Sequence, residues 1–350
     1  MTRKILMAAL VTAVTAGMVF AGGNQQSGQS SGGAAAPATG GAAAAPASKI
    51  IVTFAGTEAA STGQSRMMQE VADKLNASGR FNADVQINGA LSGDTDNLVT
   101  QAKLGIPLVI PSDPTRLASQ FNLSDISILM APYVLTDPAA LDKLSDTALF
   151  KEWQTKLEAQ GITIVANMYN GFRSFYTATP VNTVADLKGL RIRGFGNATG
   201  NALAKYLGFA NIGISWGETL PGIQQKTLDG CEVQVATAYG SAIYEVTKYI
   251  ALTKHYMLQS TFVCSTRLLN SMPEADRAFF LATIREAAQK YGQVVASEED
   301  GYYQQMRDQG VTITEVDLKE FQDAIAPLYT NNDLGFTAGL KDRLFKELGL

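Results

Sequence analysis

The chain has 350 residues, of which 46% are hydrophobic and 17% charged, and these proportions are typical of an ordinary soluble protein with about two domains. Because 28 basic residues stand against 32 acidic ones, the net charge of −4 offers no basic surface to a phosphate backbone, and we expect no nucleic-acid binding. One histidine and two cysteines cannot build a His/Cys metal site, and a histidine-dependent catalytic triad would rest on His255 alone. We therefore predict a protein that is not an enzyme and that holds no metal or cofactor.

The first segment, residues 1–21, is typical of a secretory signal peptide. Arg3 and Lys4 precede an apolar run from Ile5 to Phe20, and Ala21 is a small residue suited to cleavage. The run is shorter than the roughly 20 apolar residues that a membrane-spanning helix needs. The prediction is export to the periplasm, and an uncleaved N-terminal anchor is the alternative.

Residues 22–48 are rich in Gly, Ala and Ser and contain no side chain larger than Gln. Such a segment cannot bury enough apolar surface to offset the entropy lost on ordering, so it is predicted to be a flexible linker. A cleaved exported protein has no evident need for a linker. The linker therefore keeps open a membrane tether through an uncleaved N-terminal segment.

From Lys49 onward, short apolar strands alternate with amphipathic helices, which favours an open α/β sheet with ligands at its carboxyl edge. The β-branched run Ile50–Phe54 predicts a buried strand, and Thr62 is placed to cap the helix that follows. The pattern then predicts strands at 84–87, 108–110, 162–166, 190–193 and 231–235, with 172–179 extended, and helices at 94–104, 149–157, 184–188, 199–207, 218–228 and 273–307.

The last of these helices would have 35 residues and a length of about 52 Å at 1.5 Å per residue. That is longer than one α/β domain requires. It suits an element that lies across two domains.

Five short motifs, in order and in register, resemble the TRAP-transporter solute-binding proteins of the DctP type, where TRAP stands for tripartite ATP-independent periplasmic. The resemblance extends from about Lys49 to the C-terminus. The motifs are Asn170-Gly171-Phe172-Arg173, the run from Asp186 to Arg193, the run from Glu218 to Glu232, the run from Tyr244 to Tyr249, and Leu252-Thr253-Lys254-His255.

The resemblance implies an α/β fold in the form of a two-lobe periplasmic-binding-protein clamshell, with crossing strands and a long helix shared by both lobes. Lobe I is expected to comprise 49–170 and 258–298, and lobe II 171–257 and 299–350. It further implies a monomer that captures a small organic acid between its lobes and delivers it to the TRAP membrane permease subunits. The alternatives are a ligand-binding protein of an ABC transporter or a sensor on a similar scaffold, or an exported enzyme.

The resemblance also implies which residues hold the ligand. A carboxylate that leaves water requires a planar donor that can bind both of its oxygens, as arginine does. The family's main arginine falls on Arg193, at the end of the strand, and a second one falls on Arg173. Arg191, nearer the strand start, is expected at the rim or on the surface. Arg193 and Arg173 could each instead be an ordinary surface residue of its strand.

Trp216 matches an apolar or aromatic position beside the ligand's carbon skeleton, although a core tryptophan is an equal alternative. In lobe I, Thr57, Asp94 and Thr95 match ligand loops, and for Asp94 and Thr95 a simple helix-capping role is the somewhat favoured interpretation. Ser112 ends the third predicted strand at the same carboxyl edge and is a further candidate.

One position departs from the family pattern. The family commonly has an asparagine after Asp-Gly-Gln-Glu, where this chain has Val233. Either the ligand lacks a group that needs the amide, or Arg193 and Arg173 hold its carboxylate alone. We expect a more apolar ligand, with an apolar body beside Val233 and Trp216 and with polarity concentrated at the arginines. Cys231 is expected to be a buried residue, and its pairing with Cys264 is left open.

Overall fold

The computed structural model of the protein describes residues 48–350. The predicted signal peptide and all but the last residue of the predicted linker lie outside that range. Between residues 48 and 350, no helix is long and apolar enough to cross a membrane.

A single sheet of nine strands forms the centre of the described part of the chain. The strands are β1 (Ile50–Ala55), β2 (Phe81–Gln86), β3 (Leu108–Ser112), β4 (Ile162–Thr177), β5 (Arg191–Arg193), β6 (Ala210–Ile212), β7 (Gly230–Gln234), β8 (Tyr249–Ser265) and β9 (Thr312–Thr314).

Helices cover the sheet. They are α1 (Gly63–Ala77), α2 (Thr95–Lys103), α3 (Pro114–Phe121), α4 (Ala140–Leu144), α5 (Ala148–Glu158), α6 (Ala198–Leu207), α7 (Thr219–Gln224), α8 (Val235–Gly240), α9 (Ile243–Val246), α10 (Thr266–Ser271), α11 (Glu274–Asp308), α12 (Leu318–Thr330) and α13 (Leu340–Leu348). Short 3-10 helices lie at Ser124–Met130, Val184–Leu187 and Trp216–Glu218.

The strand order β2-β1-β3-β8-β4-β7-β5-β6 places two long strands, β4 and β8, in the middle of the sheet, and β9 pairs with β8. These two strands are antiparallel, and the start of β4 at Ile162 faces the end of β8 at Ser265. Near that end β8 also pairs with β3, whereas the other end of β4 pairs with β7. The long strands therefore connect two lobes, each with its own parallel strands, in the predicted two-lobe clamshell.

Capping side chains fix where the helices begin, as the sequence indicates. The Thr62 hydroxyl accepts a hydrogen bond from the backbone N–H of Ser65 at the start of α1. The Asp94 carboxylate accepts from the backbone N–H of Asp96 at the start of α2, so its predicted capping role is confirmed. Such caps satisfy donors that the helix itself leaves free.

The long helix α11 has the 35 residues that its periodicity predicts. Its buried side chains include Phe280 and Ile284, and Phe280 stacks on Phe81 of β2 at 5.9 Å between ring centroids. Towards its C-terminal end, Glu299 accepts a hydrogen bond of 2.7 Å from the Tyr169 hydroxyl of β4. The helix therefore follows the crossing strand. The predicted residue boundaries of the two lobes remain predictions.

Two expected elements differ from the structure. The segments 162–166 and 172–179 are parts of one strand, β4, which continues through Gly171 with a positive φ of 97°. The helix expected at 218–228 ends at Gln224 because Lys226 adopts a left-handed backbone, with φ of 58°, and the N–H of Leu228 turns back to the carbonyl of Gly222. Cys231 and Cys264 are both buried and free, so they form no disulfide with each other.

Candidate functional site

A small polar cavity opens where the carboxyl ends of β1 and β3 meet β4, β5 and β7. Its volume is about 80 Å³, and it adjoins an outer cleft of about 390 Å³. Both spaces are bordered by Thr57, Thr95, Arg116, Arg193, Phe195 and Trp216. Such a cavity with an outer vestibule is the usual form of a small-molecule site.

The structure brings the eight predicted site residues to these two spaces. The inner cavity is lined by seven of them, namely Thr57, Thr95, Ser112, Arg173, Arg193, Trp216 and Val233. Asp94 is exposed, caps α2 and borders only the outer cleft.

Arg193 is a buried cation without an acidic partner among the described residues. Its side chain is at the end of β5 and the residue is only 4% exposed. Its Nε donates to the carbonyl of Ile214 at 3.2 Å, and its guanidinium carbon lies 5.4 Å from the centre of the Trp216 ring. Burial, reinforced by repulsion from Arg173 and Arg116, lowers the pKa of Arg193 to about 10. A buried charge of this kind requires a counter-ion, so the cavity is electrostatically suited to an anion.

Arg173, the second predicted arginine, already has a counter-ion. Its guanidinium forms an ion pair with Glu232, donates to the backbone carbonyl of the same residue, and donates from Nη1 to Gln234 Oε1 at 3.1 Å. Burial would raise the pKa of Glu232, but Arg173 and a hydrogen bond from His255 lower it overall. Arg173 thus contributes less free positive charge to the cavity than Arg193 does.

Arg116 is a third arginine of the cavity, and sequence reasoning missed it. It lies in the first turn of α3, where its Nε is 2.9 Å from Asp113 Oδ2 and its Nη1 is 3.1 Å from Asp96 Oδ1. Phe195 stacks between two arginines, at 5.5 Å from the Arg116 guanidinium carbon and 4.4 Å from that of Arg173. The only sequence feature that could have identified Arg116 is its position shortly after Ser112-Asp113.

Glu58 is a buried carboxylic acid of the same cavity and was also missed. Its Oε1 accepts hydrogen bonds from Asn170 Nδ2 at 3.0 Å and from Gln234 Nε2 at 2.8 Å. Burial raises the pKa of Glu58, and the neighbouring polar side chains of Thr62, Thr237 and Asn170 offset this only in part. The only sequence feature that could have identified Glu58 is its position next to Thr57 in the loop that follows β1.

The polarity of the cavity is therefore not confined to its arginines, contrary to the expectation drawn from Val233. That side chain is fully buried and lines the cavity beside the half-buried Trp216. Glu58, Asn170 and Ser112 line it as well, and each is buried. The cavity combines an apolar wall with a polar one.

His255 lies away from the cavity lining, inside strand β8. It is fully buried, stacks on Phe175 at 4.7 Å, and shares a hydrogen bond of 2.7 Å between Nδ1 and the Thr253 hydroxyl. Its structural role on the crossing strand agrees with the sequence-based interpretation. Among residues 48–350, no group of three or more His, Cys, Asp or Glu side chains is arranged to hold a metal ion.

Comparison with protein families identifies the fold. Residues 54–333 match the model of DctP, described as bacterial extracellular solute-binding protein, family 7. The chain belongs to this family. The predicted resemblance to TRAP solute-binding proteins is thereby confirmed.

Relatives of this family 7 protein carry the names of binding proteins. It is 27% identical over 246 residues to the 2,3-diketo-L-gulonate-binding periplasmic protein YiaO of Escherichia coli K12, covering 70% of this chain and 71% of that one. A TRAP periplasmic solute-binding protein of Actinobacillus succinogenes with bound L-galactonate superposes with a TM-score of 0.81 at 23% identity, over 85% of this chain and 99% of that one. The counterpart from Desulfovibrio salexigens, in complex with diglycerolphosphate, gives 0.79 at 27% identity, over 86% and 97%.

Proposed function

We propose that this protein is the extracytoplasmic solute-binding component of a TRAP transporter, which captures a small organic acid in the cavity and delivers it to the membrane permease. The observation that carries the proposal is Arg193, a cation that is 4% exposed and has no carboxylate partner between residues 48 and 350. Since leaving such a charge unpaired is costly, a ligand that carries a negative charge restores the balance.

The charges around Arg193 support one anionic group on the ligand. Arg173 is neutralised by Glu232, and Arg116 by Asp113 and Asp96. Arg193 alone is left for the ligand. Its planar guanidinium can bind two oxygens of a carboxylate side by side.

A phosphate ester is the second candidate for the anionic group, because a relative in this family carries diglycerolphosphate. A guanidinium binds phosphate by the same bidentate geometry as carboxylate. The uptake role is the same in both cases. We expect the protein to be a periplasmic monomer that binds its ligand without converting it.

The test is a thermal-shift screen of the purified protein against three panels of small molecules: carboxylates, phosphate esters, and the neutral amides of the same carboxylates. Ligands that bind the folded state raise its melting temperature. We expect shifts with acids and none with their amides, and an unchanged ligand after prolonged incubation. If the amides stabilise as well as the acids, or if the ligand is converted to a product, the proposal is wrong.

A further inference from the structure

Three buried polar oxygens of the cavity have no hydrogen-bond partner in the part of the chain that the structure describes. They are Glu58 Oε2, Asn170 Oδ1 and Ser112 Oγ. Buried polar atoms are nearly always paired, so a group of unpaired ones on the wall of one cavity indicates an absent partner. All three residues are at most 7% exposed.

Only one of the two oxygens of the Glu58 carboxyl group accepts hydrogen bonds. Asn170 and Gln234 both donate to Oε1, which fixes the orientation of the side chain, while Oε2 is left with no donor. Two basic groups of the same cavity are paired with other acids, Arg173 with Glu232 and Arg116 with Asp113. A buried, oriented and unpaired acceptor costs free energy unless something binds to it.

Glu58 and Arg193 come from distant parts of the sheet and reach the same cavity. Glu58 follows β1 and Arg193 ends β5, and four strands, β3, β8, β4 and β7, separate these two in the sheet order. A ligand between them meets a cation on one side and unpaired acceptors on another.

We propose that Glu58, together with Asn170 and Ser112, forms a second polar subsite that binds a hydroxyl or ammonium group of the ligand whose anionic group binds Arg193. The inference rests on the proposed function. It narrows the ligand to an organic acid that also carries a hydrogen-bond donor, and it excludes plain hydrocarbon acids as the preferred ligand. Val233 and Trp216 then contact only the carbon atoms between the two polar ends.

The test uses matched sets of three unbranched acids with three to six carbons: the unsubstituted acid, its terminal hydroxy derivative and its terminal amino derivative. Binding of each to the wild-type protein is measured by calorimetry or ligand-observed NMR. For at least one chain length, the hydroxy or amino member is expected to bind ten-fold or more tightly than the unsubstituted acid. Equal affinities within every set overturn the inference, and this comparison needs no variant.

Two variants locate the preference. Glu58→Gln keeps the shape of the side chain but replaces one acceptor oxygen with an amide donor, and the preference for the donor-bearing acids is expected to fall several-fold. Ser112→Ala tests the same subsite if Glu58→Gln does not fold. The matched control is Glu158→Gln, the same change on the exposed surface of α5. A preference that persists in both folded subsite variants contradicts the inference.

The two proposals fail differently. If no acid binds the wild-type protein, the proposed function is wrong. If acids bind but do not distinguish the donor-bearing members, the proposed function stands and the subsite at Glu58 does not.

Discussion

Arg173 and Glu232 form an ion pair between the adjacent antiparallel strands β4 and β7, with side chains that are 5% and 1% exposed. Because of this pair, the two predicted arginines have different roles in the cavity. Because Glu232 already balances Arg173, the uncompensated positive charge of the cavity is that of Arg193. The second arginine has a largely structural role, and it also supports the ring of Phe195.

Replacing Arg193 by alanine is expected to cost about 2–5 kcal/mol of ligand affinity, as truncation of one partner of a buried charge pair does. The measurement is calorimetry with the best ligand from the screen. Arg191→Ala is the matched control, because Arg191 lies on the same strand, is exposed and pairs with Asp229. Similar losses in both variants, or undiminished affinity in Arg193→Ala, would contradict the assignment.

Replacing Arg173 by methionine is expected to lower the free energy of unfolding by about 3–5 kcal/mol, because Glu232 becomes an unpaired buried charge. The double variant Arg173→Met, Glu232→Leu removes both charges and is expected to be more stable than the single one. Urea unfolding measures the free energy of unfolding of the wild type, of Arg173→Met, of Glu232→Leu and of the double variant. If the change in unfolding free energy of the double variant equals the sum of the changes in Arg173→Met and Glu232→Leu, the two side chains are not coupled.

The stability of the protein is expected to fall as the pH drops below about 6.5, the ordinary pKa of histidine. Burial lowers the pKa of His255 in the folded state, although Glu232 opposes this shift. The unfolded chain then takes up a proton that the folded state resists, so the stabilisation present above pH 6.5 is lost as the pH falls towards the folded pKa. Urea unfolding between pH 7.5 and 5 measures the free energy of unfolding as a function of pH. In His255→Gln this free energy is expected to depend less on pH over the same range. An equally steep loss in a folded His255→Gln would assign the effect elsewhere.

Ligand binding is expected to bring the lobes together by bending β4 and β8 near Gly171 and Met257, as in hinge closure of periplasmic binding proteins. Small-angle scattering with and without saturating ligand measures the radius of gyration, which should fall. An unchanged radius contradicts closure, unless the ligand-free protein also shows the compact value.

Val233→Asn is expected to weaken binding of the preferred ligand by roughly 1–3 kcal/mol, because the ligand offers no partner to the new amide. Sugar acids with hydroxyl groups along the chain should bind the variant as well as they bind the wild type, or better, since specificity is a difference between two binding energies. A thermal-shift screen with sugar acids and with branched or aromatic monocarboxylates compares them. If the wild type prefers sugar acids and the variant binds them no better, this interpretation of Val233 is wrong.

Local signals were enough to predict much of the fold. The β-branched run at Ile50 and the capping residue Thr62 specify β1 and the start of α1 within the sequence itself. Local patterns predict the continuous strand β4 as two separate segments, 162–166 and 172–179. Here Gly171 takes a positive φ inside a strand that pairing with β8 maintains, and no local pattern contains that pairing.

The site was predictable to the extent that a motif identifies its residues. Arg193 and Arg173 occupy positions of a recognisable motif, and the structure places both at the cavity. Glu58 belongs to no motif, and its burial depends on Asn170 and Gln234, which are more than a hundred residues away. The burial and pairing of a charge are tertiary properties, so the sequence could not show that Glu232 neutralises Arg173 while Arg193 has no partner.

The position of β8 in the sheet constrains the order in which the chain can fold during synthesis. The edge of β3 that faces away from β1 pairs with residues 261–264 of β8, so it has no neighbour until translation has passed Ser265. At a typical rate of about 5–20 residues per second, the wait after β3 is made is on the order of ten seconds. During this time the nascent chain presents an open, apolar strand edge that a chaperone can protect. Neither half of the protein carries all the strands that its own lobe needs, so neither lobe can complete its part of the sheet before β8 is available, and a truncated chain ending before β8 is expected to aggregate.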